Sequence, residues 1–269
     1  MPPDFRFSGM ITFRRFHWVP ANAHSLVLLH AFPLSSSMWE ESASIIAKNA
    51  PSYNIILVDF SGFGDAPVQK NWTIAEAVVD LHRQLKKEDI REPVIAGLSM
   101  GGYAALAYYR LYHNEVKALI LSNTKAAADT ADAKKGREEF ALDAEARGAE
   151  AVFERMLPKL VSDSSKKKDP DLLMKLRGKI ESNSPQAIAP ALRALALRDD
   201  STDLLPTISC PTLLITGEND ALIPFEEMEK MSLQIKGSKF ISFIKGGHLT
   251  AVEAPDKWGS VVSSFLNIL

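Results

Sequence analysis

One cysteine, Cys210, stands in a chain of 269 residues. A lone thiol forms no intrachain disulfide and cannot assemble a thiolate metal site. Charge of one sign is also missing: 31 Lys and Arg stand against 33 Asp and Glu, a net charge of −2. That balance supplies no electrostatic pull towards nucleic acid or an anionic membrane surface. No window reaches the roughly 18 uninterrupted apolar residues that a membrane span needs. The first residues, Met1-Pro-Pro-Asp-Phe-Arg6, carry no secretory-type apolar run. The histidines at 17, 24, 30, 82 and 113 are spread without metal-ligand spacing. The expectation is a cytoplasmic protein with no metal and no organic cofactor, acting on a small molecule rather than on nucleic acid or membrane.

What is present is enough apolar sequence, 46% of residues, for one large α/β domain or two small ones. The stretch Pro93-Val-Ile-Ala-Gly-Leu-Ser99-Met-Gly-Gly-Tyr103 organises the rest. An apolar, β-forming run enters a G-x-S-x-G pentapeptide (Gly97, Ser99, Gly101) and leaves as a helical pattern. A serine on such a strand-to-helix turn is held in a strained backbone conformation that lifts its hydroxyl clear of the sheet. The glycines two residues to either side let neighbouring backbone come close.

Further buried strands are predicted over Ser25–His30, Asn54–Phe60, Val116–Ser122 and Pro211–Thr216, each almost wholly apolar. A last strand is expected over Lys239–Ile244, and two half-exposed antiparallel strands around Gly9 within residues 5–19. Helices are expected between them: Met38–Asn49, a helix to about Glu88 opened by a Thr73/Glu76 capping box, Gly101–Tyr112, one from Phe225 and a closing one from Ala254 to Leu266. Strands and helices alternating at this spacing imply right-handed crossovers and a mainly parallel sheet of about eight strands with helices on both faces. From Lys125 to Asp200 no strand-like run occurs, and 15 basic balance 14 acidic side chains. Three to five helices are predicted there, with starts at Asp169-Pro170 and Ser184-Pro185. Lys166–Lys168 reads as a solvated loop feature. The organisation expected is a core over 1–124, a helical cap inserted over 125–205, and the rest of the core over 206–269.

A serine hydroxyl is nearly inert at neutral pH and needs an adjacent base, itself oriented by an acid. His248 follows the last strand in a Gly246-Gly247-His248 loop, and Asp220 follows the strand before it. Loops after parallel strands gather at one sheet edge, so Ser99, Asp220 and His248 can converge. Each has a plainer reading: Ser99 as a turn serine, Asp220 as the cap of the helix near Pro224, His248 as a surface histidine. After the strand ending at Ser122 the sequence offers Asn123 and Thr124, neither of which carries charge. Asp59 is expected to hold its own glycine-rich turn, and Cys210 reads as a small core residue.

Taken together, the motifs at 28–39, 58–64, 97–102, 217–220 and 246–248, in that order, resemble an α/β-hydrolase with a helical cap. The loop at 30–39 and the Ser99-Met100 pair are similar to those of carboxylesterases, cofactor-free haloperoxidase-type perhydrolases and 3-oxoadipate enol-lactonases. The resemblance implies a Ser99–His248–Asp220 triad and an oxyanion hole from the backbone N–H groups of Met100 and Phe32, with His30 bracing that loop. The family usually has glycine where this chain has Ala31. The activity implied is hydrolysis of carboxylic esters of small or medium apolar acyl groups. Enol-lactone hydrolysis and perhydrolysis use the same triad, and a non-catalytic binding protein on a hydrolase fold is the remote alternative. Phe140, Phe153, Met156, Leu157, Leu192 and Leu195 are candidates to face the pocket. No arginine can be assigned to a substrate carboxylate from sequence.

Overall fold

The computed structural model describes residues 9–19 and 23–269. Its strands are β1 (Thr12–His17), β2 (Ser25–Leu29), β3 (Asn54–Asp59), β4 (Val94–Leu98), β5 (Ala118–Ser122), β6 (Thr212–Gly217) and β7 (Lys239–Phe243). They form one sheet in the order β1-β3-β2-β4-β5-β6-β7. β1 pairs antiparallel with β3, and every other pair is parallel. β2 to β6 are buried at every residue, while β1 and β7 are half-exposed. That division follows from position: inner parallel strands are covered by helices on both faces and read as unbroken apolar runs, whereas edge strands are not.

The described residues hold seven strands, against the eight or so expected. The difference lies at the amino end, where one half-exposed strand is found and Phe5–Phe7 lies outside the described residues.

Helices α1 (Glu40–Asn49), α2 (Ile74–Lys87) and α3 (Met100–Tyr112) supply the crossovers between the first strands. The capping box that opens α2 is formed as expected: Thr73 Oγ1 accepts from Glu76 N–H at 3.1 Å, and Glu76 accepts from Thr73 N–H at 2.9 Å. Between β5 and β6 lie α4 (Ala131–Arg147), α5 (Ala149–Arg155), α6 (Asp163–Lys168), α7 (Leu172–Glu181) and α8 (Ile188–Ala196). α4 packs along α8, and Arg193 clasps Glu138 at 2.7 Å and Glu145 at 2.5 Å across the pair. The proline-marked starts fall slightly earlier than the helices themselves: α7 begins at Leu172, and a 3₁₀ turn at Pro185–Ala187 precedes α8. The Lys166–Lys168 run, expected in a loop, ends the short helix α6.

α9 (Phe225–Gln234), α10 (Thr250–Glu253) and α11 (Pro255–Leu266) complete the chain. α11 returns against α1, where Trp39 and Trp258 are both fully buried with ring centroids 4.9 Å apart. Among the described residues no helix is long and apolar enough to cross a membrane.

Candidate active site

The turn between β4 and α3 is built by two close backbone approaches. A Cβ on Gly97 would collide with the carbonyl of Gly101, and a Cβ on Gly101 with the carbonyl of Leu29 on β2. Glycine at both positions lets the chain reverse tightly against the neighbouring strand. Ser99 sits at the apex with φ +55° and ψ −113°, a left-handed conformation that is strained for a residue with a side chain by about 1–3 kcal/mol. Its backbone is held from two sides, by Ser99 N–H donating to Ser122 O at 3.0 Å and Thr124 Oγ1 donating to Ser99 O at 3.0 Å. Gly101→Ala is therefore expected to cost about 1–3 kcal/mol by overpacking. Its melting temperature should fall by several degrees in a calorimetric scan; an unchanged value would show that the turn has room to spare.

Asp220 and His248 come together on the loops after β6 and β7. His248 Nδ1–H donates to Asp220 Oδ2 at 2.8 Å, and the two side chains are 1% and 0% exposed. Because a carboxylate only accepts, this bond fixes the proton on Nδ1 and leaves Nε2 as the free acceptor. Nε2 is buried and has no hydrogen-bond partner among the described residues. Asp220 Oδ1 accepts from the N–H groups of Leu222 and Ile223 at 2.8 and 3.0 Å, so the residue also caps the turn leading to α9. The helix α9 itself starts at Phe225 with Pro224 at its N-cap and no side-chain cap bond, so Asp220 braces the preceding turn rather than capping the helix. Burial opposes ionisation, but the His248 imidazole and the converging N–H donors hold the Asp220 carboxyl below the usual carboxylate range.

Two residues that sequence reasoning passed over support this pair. Asn123, at φ +45°, turns its amide back to donate to Asp220 Oδ2 at 3.0 Å and to Gly247 O at 3.1 Å. It lies just after β5, the position considered for an acid and set aside because it lacks charge. Glu253 accepts from Gly247 N–H, Ser162 N–H and Ser165 Oγ at 3.0, 3.0 and 2.6 Å, tying the His248 loop to the start of α6.

Across the cavity floor, the loop after β2 carries Phe32. His30 braces it from beneath: Nδ1 donates to Ala31 O at 3.0 Å and Nε2 accepts from Phe60 N–H at 3.1 Å. Burial pushes the His30 imidazole below its ordinary value, which suits a neutral ring with one donor and one acceptor. Asp59 accepts from Ser36 N–H at 2.6 Å and Asp65 N–H at 3.5 Å, joining its own turn to this loop. Ala31 does not adopt a left-handed φ, so alanine fits where glycine was expected. The backbone N–H groups of Phe32 and Met100 make no hydrogen bond to any described residue.

Ser99, Phe32 and His248 line one cavity of about 470 Å³. No hydrogen bond joins Ser99 to His248 among the described residues. Of the six apolar candidates from the helical segment, Phe140, Met156, Leu192 and Leu195 line it, and Phe153 and Leu157 do not. Both of these are buried elsewhere. No three His, Cys, Asp or Glu side chains are grouped to hold a metal ion among the described residues.

A serine on the strand-to-helix turn after β4, with an aspartate and a histidine paired on the loops after β6 and β7, is the arrangement of the α/β hydrolases. The sequence matches the alpha/beta hydrolase family model over residues 26–258, and the chain belongs to that family. Among curated relatives, it is 27% identical to 3-oxoadipate enol-lactonase 1 of Acinetobacter baylyi, over 92% of this chain and 90% of the relative. Among solved structures it is similar to a thermophilic esterase from Thermogutta terrifontis, determined with malate bound. That match has a TM-score of 0.89 and 33% identity, covering 96% of this chain and 93% of the other. An enol-lactonase from Burkholderia xenovorans shares the fold at a TM-score of 0.86, with 22% identity over 96% of both chains.

Proposed function

We propose that the protein is a serine hydrolase that cleaves carboxylic esters through an acyl-enzyme. The observation that carries this reading is the buried His248–Asp220 pair, which leaves an acceptor nitrogen, Nε2, without a hydrogen-bond partner among the described residues on a histidine that lines the same cavity as Ser99. In this reading Nε2 takes the proton of Ser99 Oγ as the oxygen attacks the acyl carbon. The carbonyl oxygen becomes an oxyanion and accepts hydrogen bonds from the N–H groups of Met100 and Phe32, which have no acceptor among the described residues to give up. Donors aimed at charge that develops only in the transition state typically contribute about 10²–10³ in rate each. Nε2–H then protonates the departing alcohol, and a water activated by the same nitrogen releases the acid. Asp220 keeps the imidazole in the required tautomer and stabilises its cation.

Residues 125–205 would act as a cap between the core segments 1–124 and 206–269. The support is that Phe140, Met156, Leu192 and Leu195 form an apolar wall over the serine, a surface suited to small or medium acyl chains. The esterase with 33% identity favours ester hydrolysis. The curated enol-lactonase favours a lactone as the second reading, with the same residues in the same roles. A fluorophosphonate probe tests the assignment: peptide mass spectrometry should find one adduct per chain, on Ser99. Labelling elsewhere, or none in folded protein, would remove serine catalysis and leave a binding protein.

A further inference from the structure

Four cations line the cavity that holds Ser99 and His248: Lys125, Arg137, Arg155 and Lys159. Among the described residues Glu154 is the one carboxylate in the lining, and it is held by Arg147 at 2.8 Å. Arg147 and Arg155 both bind Asp143, at 2.6 and 2.8 Å, so two arginines and two carboxylates cancel in this group. The other group does not cancel. Asp129, 2% exposed, is met by Arg198 at 2.9 Å, by Lys125 at 3.2 Å and by Arg137.

Arg198, itself 3% exposed, is the partner a buried carboxylate requires. It also donates to the Leu195 and Ala127 carbonyls at 2.8 and 2.9 Å and lies over the Tyr103 ring at 4.2 Å. Burial opposes ionisation of Asp129, but hydrogen bonds from Arg198 and Arg137 hold its carboxyl far below the usual range, so it stays a single negative charge. One negative charge facing three positive ones leaves two in surplus. The surplus side chains, Lys125 and Arg137, are each 25% exposed and reach the cavity wall. Arg137 meets Asp129 through Nε, and its two Nη groups have no hydrogen-bond partner among the described residues. Lys159 adds a third positive charge with no ion-pair partner among the described residues.

A structural ion pair needs no such excess, and like charges gathered in one cavity repel one another. A planar guanidinium with its fork open into a pocket fits a carboxylate through two parallel hydrogen bonds. We propose that Arg137 and Lys125, anchored on Asp129, form a carboxylate subsite, and that the preferred substrates are half-esters or lactones carrying a free carboxylate at the far end of the acyl chain. This rests on Ser99 acting as the nucleophile. It extends the reading of an apolar acyl pocket: the chain runs along Phe140, Met156, Leu192 and Leu195 and ends in an anion.

The test compares the monomethyl with the dimethyl esters of succinate, glutarate and adipate by methanol release, halving dimethyl rates for their two equivalent ester groups. For at least one chain length the wild type should show a kcat/KM about tenfold or more higher for the monomethyl ester, and 0.5 M NaCl should shrink that ratio. Arg137→Gln and Lys125→Met should each bring the ratio towards one, with Arg137→Lys keeping part of it. The ratio is internal to each variant, so a drop in overall activity or stability does not imitate the result. Hydrolysis of dimethyl esters with a wild-type ratio at or below one for all three acids would overturn the subsite while leaving Ser99 catalysis intact. So would a ratio that survives unchanged in both charge-removing variants. Failure to hydrolyse any of the esters would overturn the reading of Ser99 as well.

Discussion

Ser99→Ala should lower kcat/KM for a simple ester by on the order of 10⁴–10⁶-fold, about 5–8 kcal/mol of transition-state stabilisation, while the protein stays folded. The reason lies in what the side chain does and does not touch. The Ser99 hydroxyl makes no hydrogen bond to any described residue; only its backbone is engaged, by Ser122 O, Thr124 Oγ1 and the N–H groups of Gly102 and Tyr103. Alanine keeps those main-chain bonds and the same left-handed φ, so the melting temperature should stay within about 2 °C of wild type. The residual activity would come from the oxyanion donors and from binding alone. A variant that folds normally and keeps more than a tenth of the wild-type rate would rule out Ser99 as the nucleophile.

Asp220→Asn is the second large effect, with kcat expected to fall by about 10⁴. All four hydrogen bonds to this carboxylate come from donors: Leu222 N–H and Ile223 N–H on Oδ1, Asn123 Nδ2 and His248 Nδ1 on Oδ2. An amide has one accepting end. Placed with its oxygen towards His248, it turns an NH₂ into two backbone N–H groups; flipped, it turns that NH₂ into Asn123 and His248. In the flipped form the imidazole must carry its proton on Nε2, and then it cannot accept from a serine. Either way a buried donor loses its partner, at about 1–3 kcal/mol, so the melting temperature should fall as well. Steady-state kinetics beside a thermal scan check both parts. A kcat loss of less than tenfold would mean that Asp220 is a turn cap and no more.

Legibility tracked sequence locality. Ser99, Asp220 and His248 could be singled out because each comes soon after a strand of the parallel sheet, buried for the first two and half-exposed for the last, and parallel strands deliver their trailing loops to one edge. The Thr73/Glu76 box was visible for the same reason, since its partners are three residues apart. Asn123 was read for charge alone. Its contribution is the direction of an amide, set by a left-handed backbone against a carboxylate 97 residues away. The cationic wall was hidden more completely. Within a balanced stretch of 15 basic and 14 acidic side chains, nothing local distinguishes Arg137 from its neighbours. Only packing decides that Lys125, Arg137 and Arg198 share one carboxylate. The same holds for Phe153 and Leu157, apolar candidates that packing directs away from the cavity.

The helical segment leaves the sheet after β5 and returns at β6, two adjacent parallel strands. Parallel neighbours demand a connection of at least a dozen residues in any case. Closing residues 123–211 instead of a minimal crossover amounts to about three doublings of loop length, roughly 2 kcal/mol of chain entropy. Polymer statistics thus make this junction an inexpensive place to lengthen the chain. The register of the strands that present the serine, aspartate and histidine is set within the sheet. Most of the cavity's roof can be rewritten in α4, α5 and α8 without asking those strands to pair anew.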